Sequence, residues 1–162
     1  MSVYEDIQDL FEKRESALSL QLHLLAKAAG DVAGGLRVYL GLPSPRWSYS
    51  DGKAGDAYVR LGVGQKSQFE EKPWMALSSQ GGVVSFTLSV CIHTEDRTFR
   101  AFYFFSMSVR FCDDGYLFEI EGDRQQVISV DDVKSGNLAP IYDMIVAQLK
   151  AVLDPERILI KN

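Results

Sequence analysis

The chain has 162 residues, 46% of them hydrophobic and 24% charged, the composition of an ordinary globular domain. A single domain of this size buries about 70% of the surface its unfolded chain exposes, so a core can form without metal or disulfide staples. These values exclude a disordered chain, a collagen-like chain, a disulfide scaffold and a polytopic membrane protein. The net charge of −5 and pI near 5.0 select no function.

Charge is spread evenly. Residues 1–50 carry 5 basic and 6 acidic side chains, residues 51–130 carry 8 and 11, and residues 131–162 carry 4 and 5. No segment is basic, so the electrostatic footprint of a nucleic-acid partner is missing. The N-terminus is acidic and amphipathic, without the basic start and continuous apolar run of a secretory signal. No apolar run approaches the ~20 residues that span a bilayer. The expectation is a cytoplasmic protein with no membrane and no nucleic-acid partner.

In chain order, the first element is a helix over 3–29. Ile7, Leu10, Phe11, Leu18, Leu22 and Leu25 recur at spacings of three and four. Ser2 with Glu5 three residues on reads as a capping box, and Gly30 as the C-cap. Leu18–Leu25 is apolar on more than one side, which predicts burial from two directions. Residues 32–41 read as a second short helix, weakened by Gly34 and Gly35. Residues 43–56, dense in Pro, Gly, Ser and Asp, read as a loop.

The middle reads as a six-stranded antiparallel meander over 57–130, with strands at 57–63, 74–79, 83–93, 99–111, 116–121 and 125–130. Three turns set its registers. Gly81-Gly82 pairs Leu77 with Phe86 and Met75 with Leu88. A Thr94–Arg97 loop pairs Ile92 with Phe99 and Leu88 with Tyr103. Asp114-Gly115, as a type I′ turn, pairs Phe111 with Phe118 and sets Arg110 opposite Glu119. All three agree on one apolar face. A helix follows from an Asn137 N-cap to Leu153, with Pro140 in its first turn and Leu138, Ile141, Ile145, Leu149 and Val152 on one stripe. Asp154-Pro155 ends it. Ile158–Ile160 reads as a short edge strand or a packed tail.

The same registers place Trp74 across from Ser89, Ser89 across from Phe102, and Phe104 in the next row, with Val127 beside Phe102. Trp74, Phe102, Phe104 and Val127 then form an apolar stripe on a face otherwise lined with Ser and Thr. Such a stripe is covered by the protein's own helical head or 43–56 loop, forms a homodimer or partner interface, or lines a small-ligand pocket.

Chemistry-bearing residues are sparse. Cys91 and His93 share a strand face, with Arg100 opposite Cys91 in a position to lower its thiol pKa. Side chains at i and i+2 on a strand stand about 7 Å apart, too far for a direct Cys–His hydrogen bond. Cys91 and Cys112 are too distant for a disulfide, and two histidines 70 residues apart make no zinc pattern. Glu119 and Glu121 resemble a carboxylate pair, but an ion pair of Glu119 with Arg110 accounts for the first. Neither Gly62-Val63-Gly64 nor Gly81-Gly82 leads a strand into a helix, as a dinucleotide loop must.

The sequence therefore predicts one α+β domain over 1–162. Its parts are a helical head (1–42), a loop (43–56), the antiparallel sheet (57–130) and a C-terminal helix (137–153). The expected function is a non-enzymatic cytosolic protein-binding protein of immunity, chaperone or adaptor type. Its partner is another protein or a second copy in a homodimer, bound through the apolar sheet face or the N-terminal helix. No cofactor and no metal are expected. The alternative is a small-molecule binder or enzyme with an apolar cavity between sheet and helices.

Overall fold

The computed structural model describes residues 2–159. The chain is α+β, with a long N-terminal helix, a C-terminal helix and an antiparallel sheet in meander order. Helix α1 runs from Val3 to Tyr39. A two-stranded hairpin, β1 (Arg46–Ser48) and β2 (Ala54–Ala57), follows. The main sheet holds β3 (Val59–Val63), β4 (Glu70–Glu71), β5 (Ser79–Gln80), β6 (Val83–His93), β7 (Arg100–Cys112), β8 (Gly115–Ile120) and β9 (Arg124–Ile128). Its order is β4-β3-β6-β7-β8-β9, with β5 paired to the start of β6. Helices α2 (Val130–Ser135), α3 (Ala139–Leu153) and α4 (Pro155–Leu159) close the described chain.

The Ser2 cap forms as its sequence predicts, with its hydroxyl accepting the Glu5 N–H at 3.1 Å. The predicted break at Gly30 does not. Gly30, Gly34 and Gly35 all lie inside α1, so 3–29 and 32–41 are one helix. Close packing explains two of the three. A Cβ on Gly30 would lie 2.7 Å from the Trp74 ring, and one on Gly35 would strike the Tyr142 hydroxyl. Gly34 faces open space.

One sheet face and the two long helices share a single core. Leu25, Ala29, Val32 and Leu36 of α1 meet Val84, Leu88 and Val90 of β6, Phe118 of β8, and Ile141 and Ile145 of α3 in one fully buried cluster. Val152, predicted on the α3 stripe, is exposed, and so is Phe99. Arg37 ties the end of α1 to the sheet by donating twice to the Val59 carbonyl, at 2.8 and 3.1 Å.

Turn positions differ from expectation, in steps that leave the faces intact. The Thr94 N–H donates to the Phe99 carbonyl at 2.9 Å. Asp96 accepts from the Thr98 N–H and from both the Thr94 and Thr98 hydroxyls, and Arg97 takes φ +63°. These side-chain bonds move the loop by one residue. The register becomes His93↔Arg100 and Leu88↔Phe105, two residues from the predicted pairing. At the next hairpin the turn residues are Asp113-Asp114, not Asp114-Gly115. Phe111 therefore pairs with Tyr116, and Arg110 with Leu117 rather than Glu119. Gly115 instead begins β8 at φ +142°, where a Cβ would meet the Ile128 carbonyl.

The predicted strand over 74–79 keeps only its last residue, Ser79, which pairs with Val84 beside Gln80. Gly81-Gly82 does set Gln80↔Val83, as expected. Pro73 to Leu77, however, curl into a 3₁₀ turn, and β3 takes the place beside β6 through Val59↔Val90 and Leu61↔Leu88. Two further expectations change near the C-terminus. Residues 130–135 form α2, capped by Ser129 and ended by Gly136 at φ +76°. The N-cap of α3 is Leu138, while Asn137 donates to Asp132. Ile158 lies in α4 and is exposed rather than packed; Ile160 lies outside the described residues.

Two predictions follow from the helix packing. Gly34→Ala should stabilise the fold by up to about 1 kcal/mol through helix propensity, while Gly30→Ala should destabilise it by about 1–3 kcal/mol through overpacking against Trp74. Urea titration of both variants checks the opposite signs. Tyr142 is buried against α1 near Asp31, which pushes its hydroxyl pKa up to about 12. Its contribution is complete below the unfolded value near 10 and is lost as pH rises toward 12. Stability of the wild type should therefore fall between those pH values, and less steeply in Tyr142→Phe.

Candidate functional site

The four residues of the expected sheet-face stripe do not come together. Trp74 lies in the 3₁₀ turn on the core side, against Gly30 and edge-to-face with His23 at 5.4 Å. Arg60, not Trp74, stands opposite Ser89. Phe102 pairs with Cys91, and Phe104 with Ser89, because of the two-residue register change. Val127 pairs with Leu117 on β9, remote from Phe102, and is exposed.

What covers Phe102 is the segment predicted to be a loop. The β1–β2 hairpin lays Trp47 over the second sheet face, 6.1 Å from Phe102, and buries it with Tyr58 and Cys91. Gly55 permits this, since a Cβ there would strike the Trp47 ring. Two arginines complete the layer by stacking on aromatic rings. Arg60 lies 5.2 Å from the Phe69 ring and 5.6 Å from Phe102. Arg100 lies 4.5 Å from Trp47 and 4.3 Å from Tyr49. Phe104 packs on Phe69 at 5.5 Å. Beyond this cover the face is an open groove of about 530 Å³ bordered by Ser85, Thr87, Ser106, Ser108 and Glu119.

The candidate reactive groups are engaged in this layer. Arg100 faces His93 rather than Cys91. Burial pushes the Cys91 thiol pKa up, against the opposing pull of Arg100 and Arg60. His93 sits between the Tyr58 hydroxyl at 2.5 Å and the Thr94 carbonyl at 2.6 Å. A carbonyl only accepts, so in the neutral ring Nδ1 carries the proton and Nε2 accepts from Tyr58. The Thr94 and Thr98 hydroxyls hold the Asp96 carboxyl at about 2. Among the described residues no three His, Cys, Asp or Glu side chains gather as a metal site, and both cysteines are free.

A continuous run of exposed apolar side chains lies on the first half of α1. Every residue from Ser2 to Leu20 is exposed, and burial begins in earnest at Leu25. The free stretch extends about 27 Å. Val3, Tyr4, Ile7, Leu10, Phe11 and Leu18 are between 41% and 76% exposed. These side chains follow the same face that packs on the sheet. A separation of eighteen residues is about five turns, so it returns to the same side of a helix. Ile7 thus lies in line with Leu25, Leu10 with Ala28, Phe11 with Ala29 and Leu18 with Leu36, the second member of each pair being buried. The stripe over Leu18–Leu25, expected to be buried from two sides, is exposed at Leu18 and Leu20.

The free stretch is stabilised as a helix by local interactions. Ser2 caps it, and Lys13 pairs with Asp9 one turn earlier at 2.9 Å. No helix among the described residues is long and apolar enough to cross a membrane. Comparison of the chain with protein-family models, curated proteins and solved structures finds no match.

The Trp47 cover is testable. Trp47→Ala should cost about 3–5 kcal/mol and raise the reaction rate of Cys91 with a thiol reagent under native conditions. Thiol titration in a Cys112→Ser background reads the second effect.

Proposed function

We propose that the protein is a non-enzymatic, cytosolic protein-binding protein of immunity, chaperone or adaptor type, and that it binds through the free half of α1. The observation that carries this reading is the five-turn correspondence. A face built to be buried continues past the sheet with no described residue covering it. Exposed aromatic and aliphatic side chains in one helical stripe are the helix-in-groove mode of recognition. The non-enzymatic part rests on the second sheet face and its hairpin loop, where Cys91 is buried and His93 and Asp96 are held by structural hydrogen bonds.

Two measurements test the reading. A photo-crosslinking amino acid at position 11 should capture a polypeptide, whereas the same group at Ser16, on the opposite side of α1, should not. Equal capture from both positions, or none from position 11, contradicts the proposal. The double variant Ile7→Lys/Phe11→Lys should lose binding while its unfolding free energy stays within about 0.5 kcal/mol of wild type, because neither side chain touches the folded body.

A further inference from the structure

We infer that the free half of α1 pairs antiparallel with the same segment of a second copy of this chain, Ile7 lying against Leu18 of that copy. This rests on the docking reading above and names its partner.

The pattern of the stripe points to this pairing. Its apolar run is interrupted by Arg14 and Gln21, each seven residues from the last member of the series that starts at Ile7. An antiparallel pair with its two-fold axis between Glu12 and Lys13 sets residues whose numbers sum to 25 opposite one another. Ile7 then meets Leu18, and Arg14 lies over the ring of Phe11, while Gln21 is accounted for by the Gly82 turn of its own chain. The polar interruption within the free stretch, Arg14, is thereby matched to an aromatic ring and gains a cation–π contact. A parallel pair in register would instead set Arg14 against Arg14 in a desolvated layer.

Charge along the segment favours the same direction. Glu5, Asp6 and Asp9 lie in its first turns, and no charged residue occurs from Ser16 to Ala26. Antiparallel pairing puts the acidic end beside the uncharged end, while parallel pairing stacks acid on acid.

Size and clearance agree with this. The exposed stripe offers roughly 600 Å² of apolar side chain per copy, so two copies bury roughly 1,200 Å², the lower bound of specific interfaces. The overlap is free of the folded body up to Leu20; beyond it Gln21 lies beside the Gly82 turn, Leu22 packs on the core and His23 meets Trp74. The two bodies therefore lie at opposite ends of the helix pair.

Light scattering of the full chain between about 1 and 100 µM is the test, since interfaces of this size associate in the micromolar range. The inference expects a concentration-dependent dimer, weakened at least tenfold by Ile7→Glu or Leu18→Lys alone and restored by the two changes in one chain. In a Cys112→Ser background, a mixture of Ile7→Cys and Leu18→Cys proteins should form a mixed disulfide, and neither protein alone should. A monomer throughout the range, a dimer indifferent to Ile7→Glu, or a disulfide between two Ile7→Cys copies overturns it. A monomer that still crosslinks another polypeptide through position 11 overturns self-pairing alone and leaves the docking reading standing.

Discussion

The structure depends on the packing of the second half of α1 against the sheet. Leu25, Ala28, Ala29, Val32 and Leu36 present alternating small and large side chains to the apolar face of β6 and its neighbours. Small residues let the helix approach closely, and Gly30 extends this by admitting the Trp74 ring. This one contact fixes several other features. It holds the 73–77 segment in a turn rather than a strand, which leaves the edge of β6 to β3. It also leaves Gly35 open for Tyr142, so α3 can dock beside α1 on the same face. Because both helices lie on that face, the other face is shielded by the β1–β2 hairpin and by Phe69.

The fold was largely legible in the sequence, and the reason is the two-residue period of strands. Moving a turn by one residue changes the pairing sum by two, so every side chain keeps its face. The hairpins at Asp96 and Asp113-Asp114 both moved in this way. The core residues Val84, Phe86, Leu88, Val90, Phe105, Val109 and Phe118 were unaffected. Cross-strand neighbours were not protected, which is why Arg100 lies opposite His93 and Arg110 opposite Leu117.

The candidate site was less legible. The stripe of Trp74, Phe102, Phe104 and Val127 needed four strands paired as expected; the 3₁₀ turn at 74–76 removed Trp74, and the turn before β9 carried Val127 away from Phe102. Trp47 and Arg60 were hidden for a different reason. Trp47 sits in a segment whose Pro, Gly and Ser content reads as loop, although that same content allows the tight hairpin that buries the ring. The helical stripe of α1 was visible from Ile7 onward, but periodicity states which face is apolar, not where the covering sheet ends. Gly30 was misleading as a stop signal because a helix glycine also serves close packing.

A helix that is core along one half and free along the other has a measurable signature in amide hydrogen exchange. Exchange along α1, followed at submicromolar and at high protein concentration, tests this account most directly. The account predicts that amides of residues 25–39 are protected at both concentrations, while those of residues 6–20 exchange quickly in the dilute protein and become protected in the concentrated one. Protection of residues 6–20 equal to that of residues 25–39 in the dilute protein would contradict it, because the stripe would then be covered by the protein's own chain.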